Sequence, residues 1–298
     1  MIRIEGVTKR FGRSYAVRDA SLAIGAGESV ALWGANGAGK TTLIRCVLGL
    51  LRCRGRVSVG GEDVRRRGKR ARSRIGYVPQ EIGFYDDLRV GEALVFFSRL
   101  KGLSSPDAGE SLGRVGLEGQ GRKRIRELSG GMKQRLALAV ALLGDPPVLI
   151  LDEVTASLDA CGRGEFVALL SRLAGTGRTL LFASHRVEEI TALAGRVVGL
   201  EKGRIAWDVS TQGFVDLLGT SSTLHLTLRT EARQPAMSVL RERGFSPRLN
   251  GHGILVPVPR DQKAAPFRVL AEASIAIEDF ELLAGAAGEG DGKQEDRP

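Results

Sequence analysis

The segment from Gly34 to Thr42 carries the most specific chemistry in this sequence of 298 residues. It matches the pattern G-x-x-x-x-G-K-[ST] of a phosphate-binding loop, or Walker A motif. Glycines let backbone N–H groups close around phosphate oxygens, and the N-terminus of the following helix adds positive potential. Lys40 would reach the β- and γ-phosphates, and the Thr41 hydroxyl can bind Mg²⁺. The residues predicted to hold a nucleotide here are Gly34, Asn36, Gly37, Ala38, Gly39, Lys40, Thr41 and Thr42.

A second phosphate-site element is the run Val148–Leu151, which is followed directly by Asp152 and Glu153. Four apolar residues predict a buried strand, and ligands bind at the carboxyl ends of strands in open α/β sheets. Asp152 would hold Mg²⁺, directly or through water, and Glu153 would orient or deprotonate the attacking water. An acidic N-cap for the next helix is the structural alternative for this pair.

Many nucleotide hydrolases combine these two elements, so the residues that discriminate are Leu128-Ser129-Gly130-Gly131-Met132-Lys133-Gln134. This stretch resembles the Leu-Ser-Gly-Gly-x-x-Gln signature of ABC (ATP-binding cassette) ATPases, and it lies between the P-loop and the acidic strand, as in that family. A helix N-terminus with a serine hydroxyl and free glycine N–H groups suits a γ-phosphate. The resemblance therefore adds Ser129, Gly130 and Gly131 to the predicted nucleotide site.

Other family positions follow in order along residues 1–208. Phe11 looks like the aromatic that stacks on adenine, with Tyr15 as the alternative. Gln80 looks like the glutamine that senses Mg²⁺ and the attacking water. Asp159 resembles the aspartate that communicates across the dimer, and His185 resembles the histidine that contacts the γ-phosphate. The resemblance thus implies Glu153, His185 and Gln80 as catalytic residues and Thr41, Gln80 and Asp152 as metal-site residues.

The resemblance also implies partners and a mechanism. Two cassettes pair head to tail in this family, so each ATP lies between Lys40 of one subunit and Ser129 of the other. A homodimer with two competent sites, ATP and Mg²⁺ as ligands, and docking of a separate integral membrane permease near Gln80 are therefore expected. Two departures stand out: Val154 replaces the usual proline after the glutamate, and Trp33 is a bulky residue before the P-loop, where we expect it to pack in the core.

The pattern along the chain predicts an α/β fold. Apolar β-rich runs at Ser29–Trp33, Val148–Leu151 and Thr179–Ala183 alternate with helical segments and predict a mostly parallel sheet. Short strands at Ile2–Gly6 and Ala20–Ile24 predict an antiparallel β edge. The segment from Leu88 to Gly144 is predicted to be mostly helical, with one helix at Lys133–Leu143, and Gly164–Leu173 predicts another. The cassette is therefore predicted over residues 1–208.

The pattern changes after Asp208. A linker is predicted over 209–222, a small α+β domain over 223–282 and a disordered tail over 283–298. The predicted strands and helices follow a β-α-β-β-α-β order, which indicates a ferredoxin-like domain. Its elements are a strand at Leu224–Leu228, a helix at Ala232–Arg243, a hairpin turn at Asn250-Gly251, a helix at Ala264–Glu272 and a strand at Ser274–Glu278.

Composition and charge limit the classes of partner that we expect. The net charge is +10, from 44 basic and 34 acidic residues, and most of the surplus is arginine. Almost no aromatic residue lies among the basic clusters, so we expect a solvated surface, or a surface that binds membrane lipid or a partner protein, and no nucleic acid. The three cysteines have neither metal-ligand spacing nor the density of a disulfide scaffold, and no apolar run reaches the ~20 residues that span a bilayer. The expected place is the cytoplasm, peripheral on the cytoplasmic face of a membrane.

A single cassette with a C-terminal accessory domain resembles the ATPase subunits of exporter-like systems. These include drug and polysaccharide exporters and the ATPase subunit associated with copper-site maturation of nitrous oxide reductase. An importer ATPase and a non-transport ABC ATPase acting on nucleic acid or ribosomes stay as alternatives. The sequence thus predicts an ABC-type ATPase, with export as the favoured direction.

Overall fold

Two sheets and the helices around them form the first of two units, Met1–Thr211, in the computed structural model. The second unit is Gln212–Pro298. The structure describes residues 1–104, 107–219, 222–250, 253–258 and 262–284. The strands of the first unit are β1 (Ile2–Phe11), β2 (Ser14–Ile24), β3 (Ser29–Trp33), β4 (Arg54–Val59), β5 (Glu62–Asp63), β6 (Ile75–Val78), β7 (Val148–Asp152), β8 (Thr179–Ala183), β9 (Arg196–Glu201) and β10 (Arg204–Ser210).

The larger sheet has the order β10-β9-β3-β8-β7-β6, and its strands are parallel except for the antiparallel pair β9 and β10. All five residues of β7 and of β8 are buried, which explains their continuous apolar sequences, because helices cover both faces of parallel sheets. The smaller sheet, β2-β1-β4-β5, is antiparallel. The mostly parallel core and the antiparallel edge are therefore confirmed.

Helices surround these sheets. They are α1 (Lys40–Val47), α2 (Gly68–Ser73), α3 (Val90–Leu100), α4 (Ala108–Gly113), α5 (Gly130–Leu142), α6 (Ala160–Ala174) and α7 (Val187–Leu193), with short 3₁₀ turns at Gln120–Arg122 and Ile125–Glu127. Both α5 and α6 begin three to four residues before the predicted starts, because Ser129 and Asp159 cap them. Side-chain caps satisfy the free N–H groups of a first turn and so extend a helix beyond its apolar pattern.

The second unit has the predicted β-α-β-β-α-β order after an initial helix, α8 (Thr211–Gly219). It comprises β11 (Ser222–Thr227), α9 (Thr230–Glu242), β12 (Arg248–Asn250), β13 (Gly253–Val258), α10 (Ala265–Glu272) and β14 (Asp279–Ala284). Its sheet order is β12-β13-β11-β14, and every pair is antiparallel. Leu224, Leu226 and Ile254 face a core that also contains Met237 and Leu240 of α9.

Three expectations about this region need correction. The segment predicted as a linker, 209–222, is helix α8 over most of its length. The strand predicted at Ser274–Glu278 is instead β14. Ile275 and Ile277 do pack against the core, but the backbone meets β11 only from Glu278, whose N–H donates to Thr227 O over 2.9 Å. The predicted tail begins within β14, and its remainder, 285–298, lies outside the described residues, as does Gly251 of the predicted turn.

Candidate functional site

The loop between β3 and α1 has a backbone that only glycine can adopt at two positions. Gly34 has φ +151° and Gly39 has φ +109°. A Cβ at Gly34 would lie 2.4 Å from Leu200 O, and one at Gly39 would lie 2.3 Å from Ala16 O. The motif glycines are therefore required by close backbone contacts with β9 and β2, which fix the loop at the N-terminus of α1.

Lys40 lies at the centre of this loop. Its side chain is 4% exposed, and its ammonium donates to the carbonyl oxygens of Gly34, over 2.7 Å, and Ala35, over 3.2 Å. The same nitrogen lies 3.3 Å from Glu153 Oε1. The Lys40 ammonium is thus buried and held by oxygen atoms of the protein. Phosphate oxygens can replace these partners, as binding of a phosphate by a lysine requires.

Asp152 ends β7 beside the first turn of α1. It is buried, and its Oδ1 accepts a hydrogen bond from Thr41 Oγ1 over 3.0 Å. Burial raises the pKa of Asp152 above its ordinary value, the Thr41 hydrogen bond opposes this, and the charge of Glu153 adds to it. A carboxylate and a hydroxyl in contact form the hard-oxygen set that Mg²⁺ prefers, so these two residues fit a magnesium site.

Glu153 connects the other predicted catalytic residues. Its φ is +48°, a left-handed conformation uncommon for a non-glycine residue, and its N–H donates to Ala183 O over 3.1 Å. Its Oε2 lies 3.5 Å from Gln80 Nε2 and 3.9 Å from His185 Nδ1. The structure thus brings Lys40, Gln80, Glu153 and His185 into one cluster at the carboxyl edge of the parallel sheet.

A buried carboxylate next to this cluster has no counterpart in the sequence analysis. Glu189 of α7 accepts hydrogen bonds from Ser184 Oγ, over 2.7 Å, and from Thr155 Oγ1. Arg163 and Arg186 lie 3.9 and 3.7 Å from its Oε1. Ser184 precedes His185 and Thr155 follows Glu153 by two residues, so this network holds both loops. In the sequence, Glu189 differs in no way from the exposed Glu188 beside it.

The two candidate aromatic residues lie on the β1–β2 hairpin. Phe11 is 50% exposed and Tyr15 is 45% exposed. Lys9 Nζ lies 4.8 Å from the Phe11 ring centre, and the guanidinium of Arg18 lies 5.4 Å from that of Tyr15. Both rings are exposed and available for stacking.

The signature segment forms a separate region of the same unit. Ser129 caps α5, with its Oγ accepting from Met132 N–H over 3.3 Å. A Cβ at Gly131 would lie 3.6 Å from Leu158 Cδ2, so the signature lies beside the loop before Asp159, which caps α6 through Gly162 N–H. Within the described ranges, no hydrogen bond or ion pair joins Ser129 to the P-loop cluster.

Val154 and Trp33 are the two residues that depart from the family pattern. Val154 is buried directly after Glu153, and Trp33 is partly buried at the end of β3 rather than enclosed in the core as expected. Both positions lie next to the loops that carry the cluster.

Comparison with known proteins agrees with this geometry. The ABC transporter family profile matches residues 17–156. Over 293 residues the chain is 35% identical to the daunorubicin resistance ATP-binding protein DrrA3 of Streptomyces coeruleorubidus, covering 94% of this chain and 91% of that protein. It is 33% identical over 233 residues to the linearmycin resistance ATP-binding protein LnrL of Bacillus subtilis, covering 76% and 75%.

A relative that aligns over a shorter range and a solved structure are also similar to this chain. The Nod factor export ATP-binding protein I of Burkholderia lata is 41% identical over 209 residues, covering 68% of each chain. A solved dimeric, post-hydrolysis ATP-binding cassette bound to ADP and phosphate has a TM-score of 0.65 and 26% identity, covering 71% of this chain and 99% of that one.

Proposed function

Because this chain belongs to the ABC transporter ATP-binding proteins, whose cassettes hydrolyse ATP, we propose that it drives an export-type transporter whose membrane-spanning part is a separate chain. The observation that carries the proposal is the cluster in which Lys40 lies 3.3 Å from Glu153 and Thr41 lies 3.0 Å from Asp152. It combines a phosphate-binding cation, a carboxylate fit to act on water and an oxygen pair fit for a metal.

In the proposed reaction, the P-loop N–H groups and Lys40 hold the β- and γ-phosphates. Phosphate oxygens replace Glu153 as a partner of Lys40, which leaves the carboxylate to orient or deprotonate the attacking water. Gln80 Nε2 and His185 Nδ1 lie 3.5 and 3.9 Å from Glu153 Oε2. Gln80 would align the attacking water, and His185 would contact the γ-phosphate. Mg²⁺, held by Thr41 and Asp152 with Gln80 nearby, would neutralise phosphate charge.

The proposed active unit is a head-to-tail homodimer with ATP between Lys40 of one subunit and Ser129 of the other. Gly130 is exposed, and a Cβ at this position would meet nothing within 4 Å. Open N–H groups at the start of the 13-residue helix α5 suit a phosphate brought by a partner. The dimeric state of the similar solved cassette supports this arrangement.

Export is supported by the names of the relatives, two of which are resistance proteins and one an export protein. The similarity to DrrA3 extends over 293 residues and so includes the second unit, which we propose to be a dimer-stabilising or docking module. The resemblance to the copper-maturation ATPase stays a prediction.

The proposed location follows from the proposed permease. An ATPase that drives a membrane-spanning partner must contact it where ATP is supplied, so the chain would lie peripherally on the cytoplasmic face and be held there by the permease. Among the residues that the structure describes, none of the helices has both the length and the apolar character of a membrane span.

The first test is hydrolysis by the purified chain with and without Glu153→Gln. A positioned general base contributes roughly 10²–10⁴-fold, so turnover should fall by at least about 100-fold while ATP binding is retained. Unchanged turnover in Glu153→Gln would remove Glu153 from the proposed role.

Glu188→Gln is the matched control for this test. Glu188 lies in the first turn of α7, where it is exposed, and among the described contacts its carboxylate forms no hydrogen bond or ion pair with the cluster. The same chemical change should therefore leave turnover unchanged at this position.

The transport claim needs a second test, co-purification of the chain with its neighbours under conditions that keep membrane proteins intact. A polytopic protein that co-purifies and changes ATP turnover would support the transporter, and transport measured in vesicles would then separate export from import. A complex with nucleic acid or ribosomes would contradict the transport proposal and leave the ATPase assignment standing.

A further inference from the structure

Exposed arginines surround the C-terminal end of α1, the opposite end of this helix from Lys40. They come from two segments, one that leads from α1 into β4 and one that leads from β5 through α2. Neither segment carries a residue of the nucleotide cluster, so these arginines have no part in the proposed hydrolysis. We name them the arginine surface, and its members are Arg52, Arg54, Arg65, Arg66 and Arg72.

Two contacts bring the segments of the arginine surface together. Arg65 Nη1 donates to Cys53 O over 3.5 Å, which places the turn after β5 against the start of β4. Arg72 Nη1 lies 3.6 Å from the position that a Cβ would occupy at Gly49, just beyond the end of α1. Residues that are distant in sequence therefore present their charge on one face of the first unit.

The positive charge of this surface is not compensated by neighbouring carboxylates. Each of the two carboxylates of β5 is paired with an arginine outside the surface. Asp63 Oδ1 also accepts hydrogen bonds from the backbone N–H groups of Arg65 and Arg66, over 2.9 and 3.0 Å, which fixes the turn that carries them. Within the part of the chain that the structure describes, no side chain of the arginine surface forms an ion pair with a carboxylate.

An exposed leucine lies beside these charges. Leu50 follows Gly49 directly and is 60% exposed, and its backbone N–H donates to Arg45 O over 2.9 Å. Guanidinium groups bind phosphate oxygens through paired hydrogen bonds, and an apolar side chain can enter the boundary between headgroups and acyl chains. The surface contains no aromatic side chain on which a base could stack. The combination therefore fits a phospholipid bilayer better than nucleic acid.

We propose that the arginine surface, together with Leu50, binds the anionic phospholipid headgroups of a bilayer. The chain then contacts the membrane directly, in addition to its contact with the proposed permease. Each basic residue close to an anionic bilayer strengthens binding by about fivefold, so the five arginines together contribute on the order of a thousandfold. This contribution acts only within a Debye length of the lipid and is therefore weakened by salt.

Binding of the full-length chain to vesicles, without any permease, tests the proposal. The probes are vesicles of phosphatidylcholine alone and vesicles that contain equal amounts of phosphatidylcholine and phosphatidylglycerol, which is anionic. After flotation, the chain should be found with the anionic vesicles and not with the neutral ones. Binding should be largely lost between about 0.1 and 1 M salt, as the Debye length falls from about 10 to 3 Å. Equal binding to both kinds of vesicle would overturn the proposal.

Two competitors separate a bilayer from other anions. Inorganic phosphate at constant ionic strength should not displace the chain from anionic vesicles, because a single phosphate contacts only part of the surface. Displacement by phosphate would show a site for a free anion and contradict the proposal. Binding of a single-stranded RNA, with no binding to anionic vesicles, would assign the surface to nucleic acid instead.

A triple variant, Arg52→Ala with Arg65→Ala and Arg66→Ala, tests the location of the surface. It should bind anionic vesicles roughly 100-fold more weakly, because three of the five arginines are removed. A control triple variant with the same net charge changes exposed arginines elsewhere and should bind like the wild type. Its substitutions are Arg172→Ala, Arg204→Ala and Arg241→Ala. Equal weakening in both variants would mean that net charge alone drives binding, and would overturn the proposal.

Leu50→Ser separates the apolar contribution from the charge. It should weaken vesicle binding by a factor that added salt does not reduce, because burial of an apolar side chain does not depend on screening. Unchanged binding would remove Leu50 from the surface. Vesicle binding requires neither ATP turnover nor the permease, so failure of this proposal is distinguishable from failure of the proposed function.

Discussion

The P-loop region and the signature region of the first unit differ in how far the chain itself completes them. Lys40 contacts Glu153, and Thr41 contacts Asp152. Residues more than one hundred positions apart in sequence therefore already form one cluster. Ser129, by contrast, bonds only to the N–H of Met132 in its own helix among the described side-chain contacts. One half of the predicted site is thus preassembled within the chain, and the other presents an open helix N-terminus.

The largest expected effect is the recovery of ATP turnover when two inactive variants are mixed. Lys40→Ala and Ser129→Arg should each lower ATP turnover by at least about 100-fold, because each removes preorganised donors to the phosphates. In a head-to-tail heterodimer, both changes fall in one composite site and the other site is intact. Random mixing should then restore about a quarter of the wild-type turnover, measured as phosphate release.

A matched mixture provides the control. Lys40→Ala with Glu153→Gln places one change in each composite site, because both residues belong to the P-loop half, so no turnover should return. Recovery in this second mixture, or none in the first, would contradict a site shared between two chains. Lys40→Ala should also lose ATP binding as a monomer, whereas monomeric Ser129→Arg should keep it.

The next effect concerns the adenine end of the P-loop region. Phe11→Ala should weaken ATP binding by roughly 5- to 150-fold, since stacking on a base contributes about 1–3 kcal/mol. Tyr15→Ala should have the smaller effect, and Phe11→Tyr should retain binding because it keeps the ring. Displacement of a fluorescent nucleotide measures all three. A larger loss in Tyr15→Ala would make Tyr15 the stacking residue.

A third effect tests the network that supports the cluster. Glu189→Gln should reduce the free energy of unfolding by about 1–3 kcal/mol, because it removes the charge that faces Arg163 and Arg186 in a buried site. Urea unfolding measures the change, and the exposed Glu188→Gln is the control. Equal stability of the two variants would show that the buried carboxylate adds nothing to the fold.

Features that depend on neighbouring residues could be predicted from the sequence, and features that depend on contacts between distant segments could not. The P-loop, the acidic pair and the signature are local motifs, so their residues and supporting elements could be identified directly. The contacts of Glu189 with Thr155 and Ser184 depend on tertiary packing that no local pattern specifies. Strand β14 shows the same limit, because the alternating Ile275 and Ile277 predict a strand but pairing with β11 begins only beyond them.

The smallest effect concerns Asp152 and the cost of preassembling a charged site. Burial raises the pKa of Asp152, so the folded chain binds its proton more tightly than the unfolded chain. The contribution of Asp152 to stability therefore falls as pH rises through the ordinary aspartate range near 4 toward the raised folded value. Asp152→Asn keeps an oxygen that can accept from Thr41 and removes the buried charge. It should stabilise the nucleotide-free chain by on the order of 1 kcal/mol at neutral pH.

This gain should shrink toward zero as the pH falls below that range, because Asp152 is then neutral in both states. Urea unfolding of Asp152→Asn and wild type at several pH values measures it, and Asp87→Asn, a change to a surface carboxylate, is the control. Asp152→Asn should also lose the magnesium dependence of ATP binding. A stabilised fold with a weakened metal response would show that the P-loop region keeps a destabilising charge ready for its ligand, whereas a destabilised variant at neutral pH would show that the Asp152 charge supports the fold itself.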